Sequence, residues 1–163
     1  NLNKEIRFDS KKVSILEIVR EALTCEKECL EEKDIHVDLD GSNEMHLTVE
    51  GDRKALVQVV SSLLKTSINM SPEGGAIVIS FTDVGRMAQV SISDTGGGMA
   101  RDEVDQLFDR FGQKHSVATI SEALGLYMAR RMVERHRGTI WCESFIGIGS
   151  TFIFRIPKGT RGG

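Results

Sequence analysis

The chain has few of the residues that usually give a sequence away. Among its 163 residues are only three cysteines, two prolines, one tryptophan and one tyrosine. Cys25, Cys29 and Cys142 are an odd number in a chain long enough to hold a core, which argues against a disulfide-stapled scaffold and for a reducing, intracellular setting. No apolar run approaches the roughly 18 residues of a membrane span. No secretory leader is recognisable, and because the sequence opens on Asn1 the chain is expected to be a piece of a longer protein. Neither sign of charge dominates: 21 basic residues face 24 acidic ones, net −3, which excludes a nucleic-acid binder that works by bulk charge. With 40% hydrophobic and 28% charged residues, the composition is that of one folded domain and not of a disordered chain.

Glycine is unevenly spread. Only Gly41 and Gly51 precede residue 74, whereas eleven of the 16 glycines lie between Gly74 and Gly149. Such clustering between apolar segments marks tight turns or close approach of backbone to a ligand. Gly74, Gly75, Gly85 and Gly138 are read as turn glycines. Apolar periodicity predicts a short edge strand at 6–8 and a helix over 14–31, opened by a capping box in which Ser14 faces Glu17. Strands follow at 35–39 and 47–49, then a strongly apolar helix over 53–70 stopped by Pro72 and Gly74-Gly75. A hairpin of strands 76–82 and 87–93 turns over 83–86, a short helix fits 101–111, and a polar loop without a period spans 112–122. A helix over 123–136 and a hairpin of strands 139–143 and 151–156 close the chain. Cys25 and Cys29, one turn apart with no third ligand nearby, are read as packing residues. The four arginines 130, 131, 135 and 137 are read as solvated partners of a helix C-terminus. Segregated helices and mostly antiparallel strands imply an α/β fold, a two-layer sandwich whose mixed sheet is covered on one face by three helices. The expected organisation is an N-terminal edge segment and linker over 1–13, one domain over 14–157 and a flexible tail over 158–163.

The chemistry concentrates in a few segments. Asp94-Thr95-Gly96-Gly97-Gly98-Met99 follows directly on a predicted strand; the glycines let backbone pass close beside a flat ligand, and an aspartate at a strand end can accept from an exocyclic amine. Alone, a glycine-rich turn explains this segment equally well. Its companions are the helix over 53–70, Leu107-Phe108-Asp109-Arg110-Phe111, the polar loop, Leu124-Gly125-Leu126, and Gly147-Ile148-Gly149-Ser150-Thr151-Phe152. Ser62, Thr66 and Asn69 share one face of the helix over 53–70, a polar ridge that should meet water or a ligand.

In that order and at those spacings the chain resembles the catalytic and ATP-binding domain of sensor histidine kinases, the nucleotide-binding fold shared with type II topoisomerase, Hsp90 and MutL ATPases. The resemblance covers roughly residues 8–157. Gln58-Val59-Val60, Ser71-Pro72-Glu73-Gly74-Gly75 and the run from Ala129 through His136 look like the histidine kinase branch. The topoisomerase and chaperone branches need an acidic base where Ser62 stands. The resemblance implies ATP and magnesium as cofactors. It matches Asp94 to the aspartate that recognises the adenine amino group, Gly96 and Gly98 to the glycines flanking the base pocket, and Phe108 and Phe111 to the paired phenylalanines of the lid. It matches Gly125 and Leu126 to the end of a second glycine box where a helix N-terminus meets phosphates, and places Thr151 near the adenine floor.

The matched positions also depart from the family. Ser62 and Thr66 stand at catalytic positions where asparagine is usual, and Thr66 falls at the magnesium ligand. Asn69 replaces a phosphate-contacting lysine, and Met70 replaces an aromatic beside the base. Ser121, Glu122 and Ala123 stand where glycine, a variable residue and glycine are usual, and Gln113 replaces a lid arginine, with Lys114 adjoining it as a phosphate contact. His115 also lies in this lid. No phosphoacceptor motif is present: Ser67 and Phe152 stand five residues before the two prolines, and His36, His46 and His136 are read as structural. The implied function is the ATP-binding domain, itself cytoplasmic, of a two-component sensor histidine kinase whose parent chain is either soluble or membrane-anchored, with impaired phosphoryl transfer. Its expected partners are the phosphoacceptor and dimerisation domain of the parent and a response-regulator receiver, with no nucleic acid and no direct membrane contact. The alternative is a pseudokinase module that keeps the fold for signalling or docking.

Overall fold

The computed structural model describes residues 8–41, 46–109 and 120–159. Its first strand is β1 (Ser10–Ser14), not the expected 6–8; Phe8 lies ahead of it and residues 6–7 fall outside the described residues. Strand β1 pairs antiparallel with β3 (Thr48–Asp52), with Val13 opposite Val49. Ser14 caps the following helix α1 (Ile15–Cys25), accepting the Glu17 amide at 3.2 Å. The reciprocal half of the capping box is absent, because the Glu17 carboxylate bonds Arg53 at 3.3 Å.

The single helix expected over 14–31 is divided at Glu26. Helix α1 stops there and α2 (Lys27–Glu32) follows, with Glu26 at φ −102° and ψ 13°. Glu26 is buried and its carboxylate accepts the Ser61 hydroxyl at 2.5 Å, with the Lys65 ammonium 4.0 Å away. The break also turns Cys25 and Cys29 outward. Both are exposed, which corrects the expectation that they pack inside.

Helix α3 (Arg53–Met70) is capped by Asp52, whose carboxylate accepts the Ala55 amide at 3.2 Å. Its last carbonyls, on Ile68 and Asn69, accept from Lys33 Nζ at 2.8 and 3.0 Å, so a side chain from α2's end closes the helix C-terminus. The main sheet combines β2 (His36–Asp40), β4 (Ala76–Val84), β5 (Met87–Asp94), β6 (Thr139–Phe145) and β7 (Gly149–Pro157) in the order β2-β4-β5-β7-β6. Only the β2–β4 pair is parallel, so the sheet is mixed as expected. A short helix α4 (Arg101–Gln106) precedes helix α5 (Ile120–Arg135).

Strict alternation explains which sheet face is covered. Ala88, Val90 and Ile92 on β5 are buried, while Gln89, Ser91 and Ser93 between them are half-buried. Their partners Ile156, Phe154 and Phe152 on β7 share the buried face. Helix α3 packs on β5, α5 packs on β6 and β7, and α1 packs on α3. Leu56, Val59, Val60, Leu63 and Leu64 of α3 complete one hydrophobic core with that sheet face, each buried side chain contributing about 1.5–3 kcal/mol. The fold is the expected α/β sandwich.

Candidate functional site

The parity of β5 places Asp94. It continues the buried series Ala88, Val90, Ile92, so the strand carries a carboxylate onto the core face at its last residue. Asp94 is only 5% exposed. Its Oδ1 accepts the Gly96 amide at 2.9 Å, while its Oδ2 is buried and has no hydrogen-bond partner. Burial pushes its carboxyl above the usual carboxylate range, and the nearby amides of Gly96 and Ser150 and hydroxyl of Ser67 oppose that rise. The Ser67 hydroxyl is itself buried with no well-formed hydrogen bond. Two buried polar atoms without a well-formed hydrogen bond, Asp94 Oδ2 and Ser67 Oγ, suit an added donor such as an exocyclic amine.

The glycines after Asp94 meet the chain closely. A Cβ on Gly96 would lie 2.1 Å from the Met70 carbonyl oxygen, and one on Gly98, at φ +75°, would lie 2.2 Å from the Phe145 carbonyl oxygen. Gly96 therefore seats the loop against the end of α3, beside half-buried Met70 and exposed Asn69. Phe108 is buried, but Phe111, Gln113, Lys114 and His115 lie outside the described residues.

The expected floor residue Thr151 is on the other side of the sheet. It pairs with Ser93, and their hydroxyls are 2.6 Å apart on the face opposite Asp94. The residue opposed to Asp94 is Ser150, which is buried and hydrogen-bonds Ser144 at 2.7 Å. Ser67 and Ser150 are thus site residues that the sequence reading missed; for Ser150 the signal was available in the period of β7.

The expected polar ridge on α3 does not meet water along its length. Thr66 is fully buried and its hydroxyl donates to the Ser62 carbonyl at 3.2 Å, within the helix. Ser62 is buried too, with the position of a Cβ on Gly125 only 3.2 Å from its Oγ. Magnesium takes open oxygen donors, and the Thr66 hydroxyl is fully buried, not open. Among the described residues no three His, Cys, Asp or Glu side chains converge on a common point. The residues at the matched positions do not fit a resident magnesium ion.

Helix α5 differs from expectation at the same end. It includes Ile120, Ser121 and Glu122, so Gly125 and Leu126 lie in its second turn and not at a helix N-terminus. Their amides are those of helix interior, not the free amides of a first turn. The physical reason is composition: serine and alanine at 121 and 123 favour helix over glycine by about 0.5–1 kcal/mol each, and Ala123 is buried. Glu122 then supplies a carboxylate in the first turn, and its Oε1 accepts from Asn69 Nδ2 at 3.3 Å. Beside this contact is a cavity of about 380 Å³ lined by Lys33, Lys65, Asn69 and Glu122 among others. Lys33 is committed to the end of α3 and Lys65 faces Glu26.

A carboxylate at a strand end, a glycine loop against a long helix, and a closing hairpin behind them define the nucleotide-binding class of histidine-kinase ATPase domains. A family model for histidine kinase-, DNA gyrase B- and HSP90-like ATPases matches residues 51–160. The chain belongs to that family, and it is a catalytic and ATP-binding domain of the sensor histidine kinase type. It is 34% identical over 148 residues to the sensor-like histidine kinase SenX3 of Mycobacterium tuberculosis, covering 89% of this chain and 36% of SenX3. It is 33% identical to the sensor histidine kinase WalK of Bacillus subtilis, covering 68% of this chain and 19% of WalK. The chain thus spans about a fifth to a third of these relatives. The catalytic domain of the histidine kinase ThkA, solved nucleotide-free, superposes with a TM-score of 0.82 at 28% identity, covering 93% of this chain and 97% of that one.

Proposed function

We propose that this chain is the adenine-nucleotide-binding domain of a two-component sensor histidine kinase and that its phosphoryl transfer is impaired. The observation that carries the reading is Asp94: a buried carboxylate with one oxygen bonded by Gly96 and the other without a partner. That oxygen would accept the amino group of an adenine base. Gly96, Gly98 and Met70 would flank the base, with the backbone amides of Gly96 and Ser150 holding the carboxylate in place. Bound ATP would supply the phosphoryl group; the chain's residues bind and orient it.

Impairment follows from the other end of the site. Phosphoryl transfer depends almost wholly on positioning and charge stabilisation. Ser62 and Thr66, the matched catalytic positions, are buried, and Asn69 brings no charge. Loss of one preorganised stabilising group can cost about 10²–10³ in rate. Among the described residues no helix is long and apolar enough to cross a membrane, which accords with a cytoplasmic domain of the parent. The partners proposed are the parent's phosphoacceptor and dimerisation domain and a response-regulator receiver. In support, a relative, ThkA, has been solved in complex with the response regulator TrrA at 28% identity to this chain.

Two experiments test the reading. Asp94→Asn should weaken ATP and ADP alike, by about tenfold or more, since a charge-assisted hydrogen bond is worth about 1.5–3 kcal/mol; an unchanged affinity would refute the assignment. The parent's phosphoacceptor hairpin, supplied in trans with labelled ATP, should gain little label on its histidine. Brisk transfer would overturn the impairment.

A further inference from the structure

We infer, resting on the base contact proposed at Asp94, that Ser144 is a positioning residue for the same site, acting through the glycine loop. Ser144 is half-buried and lies one residue before the end of β6. Its hydroxyl has one proton to give and two lone pairs to fill. Three neighbours match that capacity. The Met99 amide donates to Ser144 Oγ at 2.8 Å, the Gly149 carbonyl accepts from it at 3.2 Å, and Ser150 Oγ lies 2.7 Å away. With the Ser144 proton given to Gly149, the Ser150 hydroxyl is the donor in the last pair.

These partners stand on two borders of the proposed base pocket. On one border, Met99 ends the glycine loop and is buried. Gly98, before it, lies against the Phe145 carbonyl, and the Gly97 carbonyl accepts the Gly147 amide at 2.8 Å. The β6–β7 hairpin thus clasps the loop by backbone at Gly97 and by the Ser144 side chain at Met99. On the other border, Ser150 is the strand partner of Asp94, and a Cβ on Gly149 would lie 2.1 Å from the Asp94 carbonyl oxygen. One hydroxyl therefore joins the loop that would flank the base to the strand behind the carboxylate that would accept its amino group. Without that hydroxyl the Met99 amide is buried and loses its acceptor, and the loop shifts to satisfy it. Binding groups must be held within about 0.5 Å of their productive positions, so the shift is felt as affinity. The Ser93–Thr151 hydroxyl pair, on the opposite face of the sheet, makes a similar bond without touching the loop and serves as the control.

The test is calorimetric titration of the 163-residue chain with adenosine and with ADP, beside amide exchange of the ligand-free protein. Ser144→Ala should weaken both ligands by the same factor, about fivefold or more, as expected when a buried amide loses its partner. Ser144→Cys, which fills the same space with a poor acceptor, should do likewise and replaces the alanine variant if that one does not fold. Ser93→Ala should leave both affinities within about twofold of native. In an Asp94→Asn background the Ser144 substitution should cost less than about twofold, because the contact it positions is already damaged. Without ligand, the Met99 and Gly96 amides should exchange faster in the Ser144 variants while those of Val90 and Ile92 on β5 do not change. The inference falls if the Ser144 variants bind as the native chain does, if Ser93→Ala costs as much, if the losses at Ser144 and Asp94 simply add, or if exchange at Gly96 is unchanged. In each of those cases a loss of affinity in Asp94→Asn would still uphold the base contact. If neither ligand binds, or Asp94→Asn changes neither, the proposed function falls and the role of Ser144 with it.

Discussion

His136 Nε2 accepts the backbone amide of Asp52 at 2.9 Å and ties the end of α5 to the first residue of the α3 cap. Because the amide donates, Nε2 must be the unprotonated nitrogen, and Nδ1 then donates to the Met132 carbonyl at 2.7 Å. The ring also stands edge-on to Phe8, and a Cβ on Gly51 would lie 2.7 Å from it. One buried imidazole therefore fixes how the two helices that flank the site meet.

Burial pushes His136 below the ordinary histidine value, and protonation would break the bond from Asp52. The folded state holds a proton less readily than the unfolded chain does. Stability from this group is therefore full above the unfolded value near 6.5 and is lost as pH falls from there towards the folded value. Thermal unfolding between pH 8 and pH 5 should show a drop that His136→Gln largely removes, and His136→Ala should destabilise by about 1–3 kcal/mol by leaving the Asp52 amide unpaired. Equal pH slopes in native and His136→Gln protein would refute this role.

The elements that were legible in the sequence are those with a long, clean period. Helix α3 shows Leu56, Val59, Val60, Leu63 and Leu64 inward as its spacing predicts, and the two late hairpins form where their turns were expected. What escaped depends on contacts distant in sequence. The break at Glu26 is accompanied by its hydrogen bond to Ser61, 35 residues away, which local periodicity does not show. Ser62 and Thr66 look like a solvated ridge until Gly125 is brought against Ser62. The misplacement of Thr151 had a different cause, a strand parity that could have been counted.

Gly96→Ala should be among the most damaging small substitutions. Its methyl group would need the space of the Met70 carbonyl, 2.1 Å away, and backbone cannot yield as a side chain does. A destabilisation of about 1–3 kcal/mol is expected, together with loss of nucleotide affinity as the loop shifts from α3. Chemical denaturation of the variant beside the native chain measures the first effect; a near-neutral change would mean that the loop is free to move.

Thr66→Val separates structure from metal chemistry. The side chains are similar in size and the lost hydroxyl bonds only the Ser62 carbonyl, so the cost should be that of one hydrogen bond, about 0.5–1.5 kcal/mol. Nucleotide affinity with and without magnesium should not change at all. A magnesium-dependent loss of affinity in the variant would show that the hydroxyl turns to a metal when nucleotide binds.

The three cysteines should differ sharply in reactivity. Cys25 and Cys29 are exposed, whereas Cys142 on β6 is buried and its thiol is pushed up to about 12 by burial, with Asp94 and Glu143 adding to the rise. Only thiolate reacts readily with alkylating reagents. Iodoacetamide on the native chain at pH 8 should label the two exposed cysteines, with Cys142 reacting only after denaturation. Early labelling of Cys142, read by mass spectrometry, would mean that the β6 edge opens in the native state.

The last expectation sets stability against binding at Asp94. A carboxyl whose folded pKa lies above its unfolded value weakens the fold once it ionises: the stability is present at low pH and is lost as pH rises through the folded value. Asp94 is raised in this sense, with Oδ2 carrying the uncompensated burial. Asp94→Asn removes the charge, keeps an oxygen for the Gly96 amide, and presents an amide donor towards the Ser67 hydroxyl. The variant should therefore be more stable than the native chain at pH 7, by about 1 kcal/mol, within the range of single stabilising substitutions at sites kept for function. Its advantage should shrink as pH falls towards 4, where the native carboxyl protonates. Thermal unfolding of both proteins across that range decides the matter. A variant less stable at pH 7 would mean that the carboxylate is fully compensated in the folded chain, leaving no open acceptor for an adenine amino group.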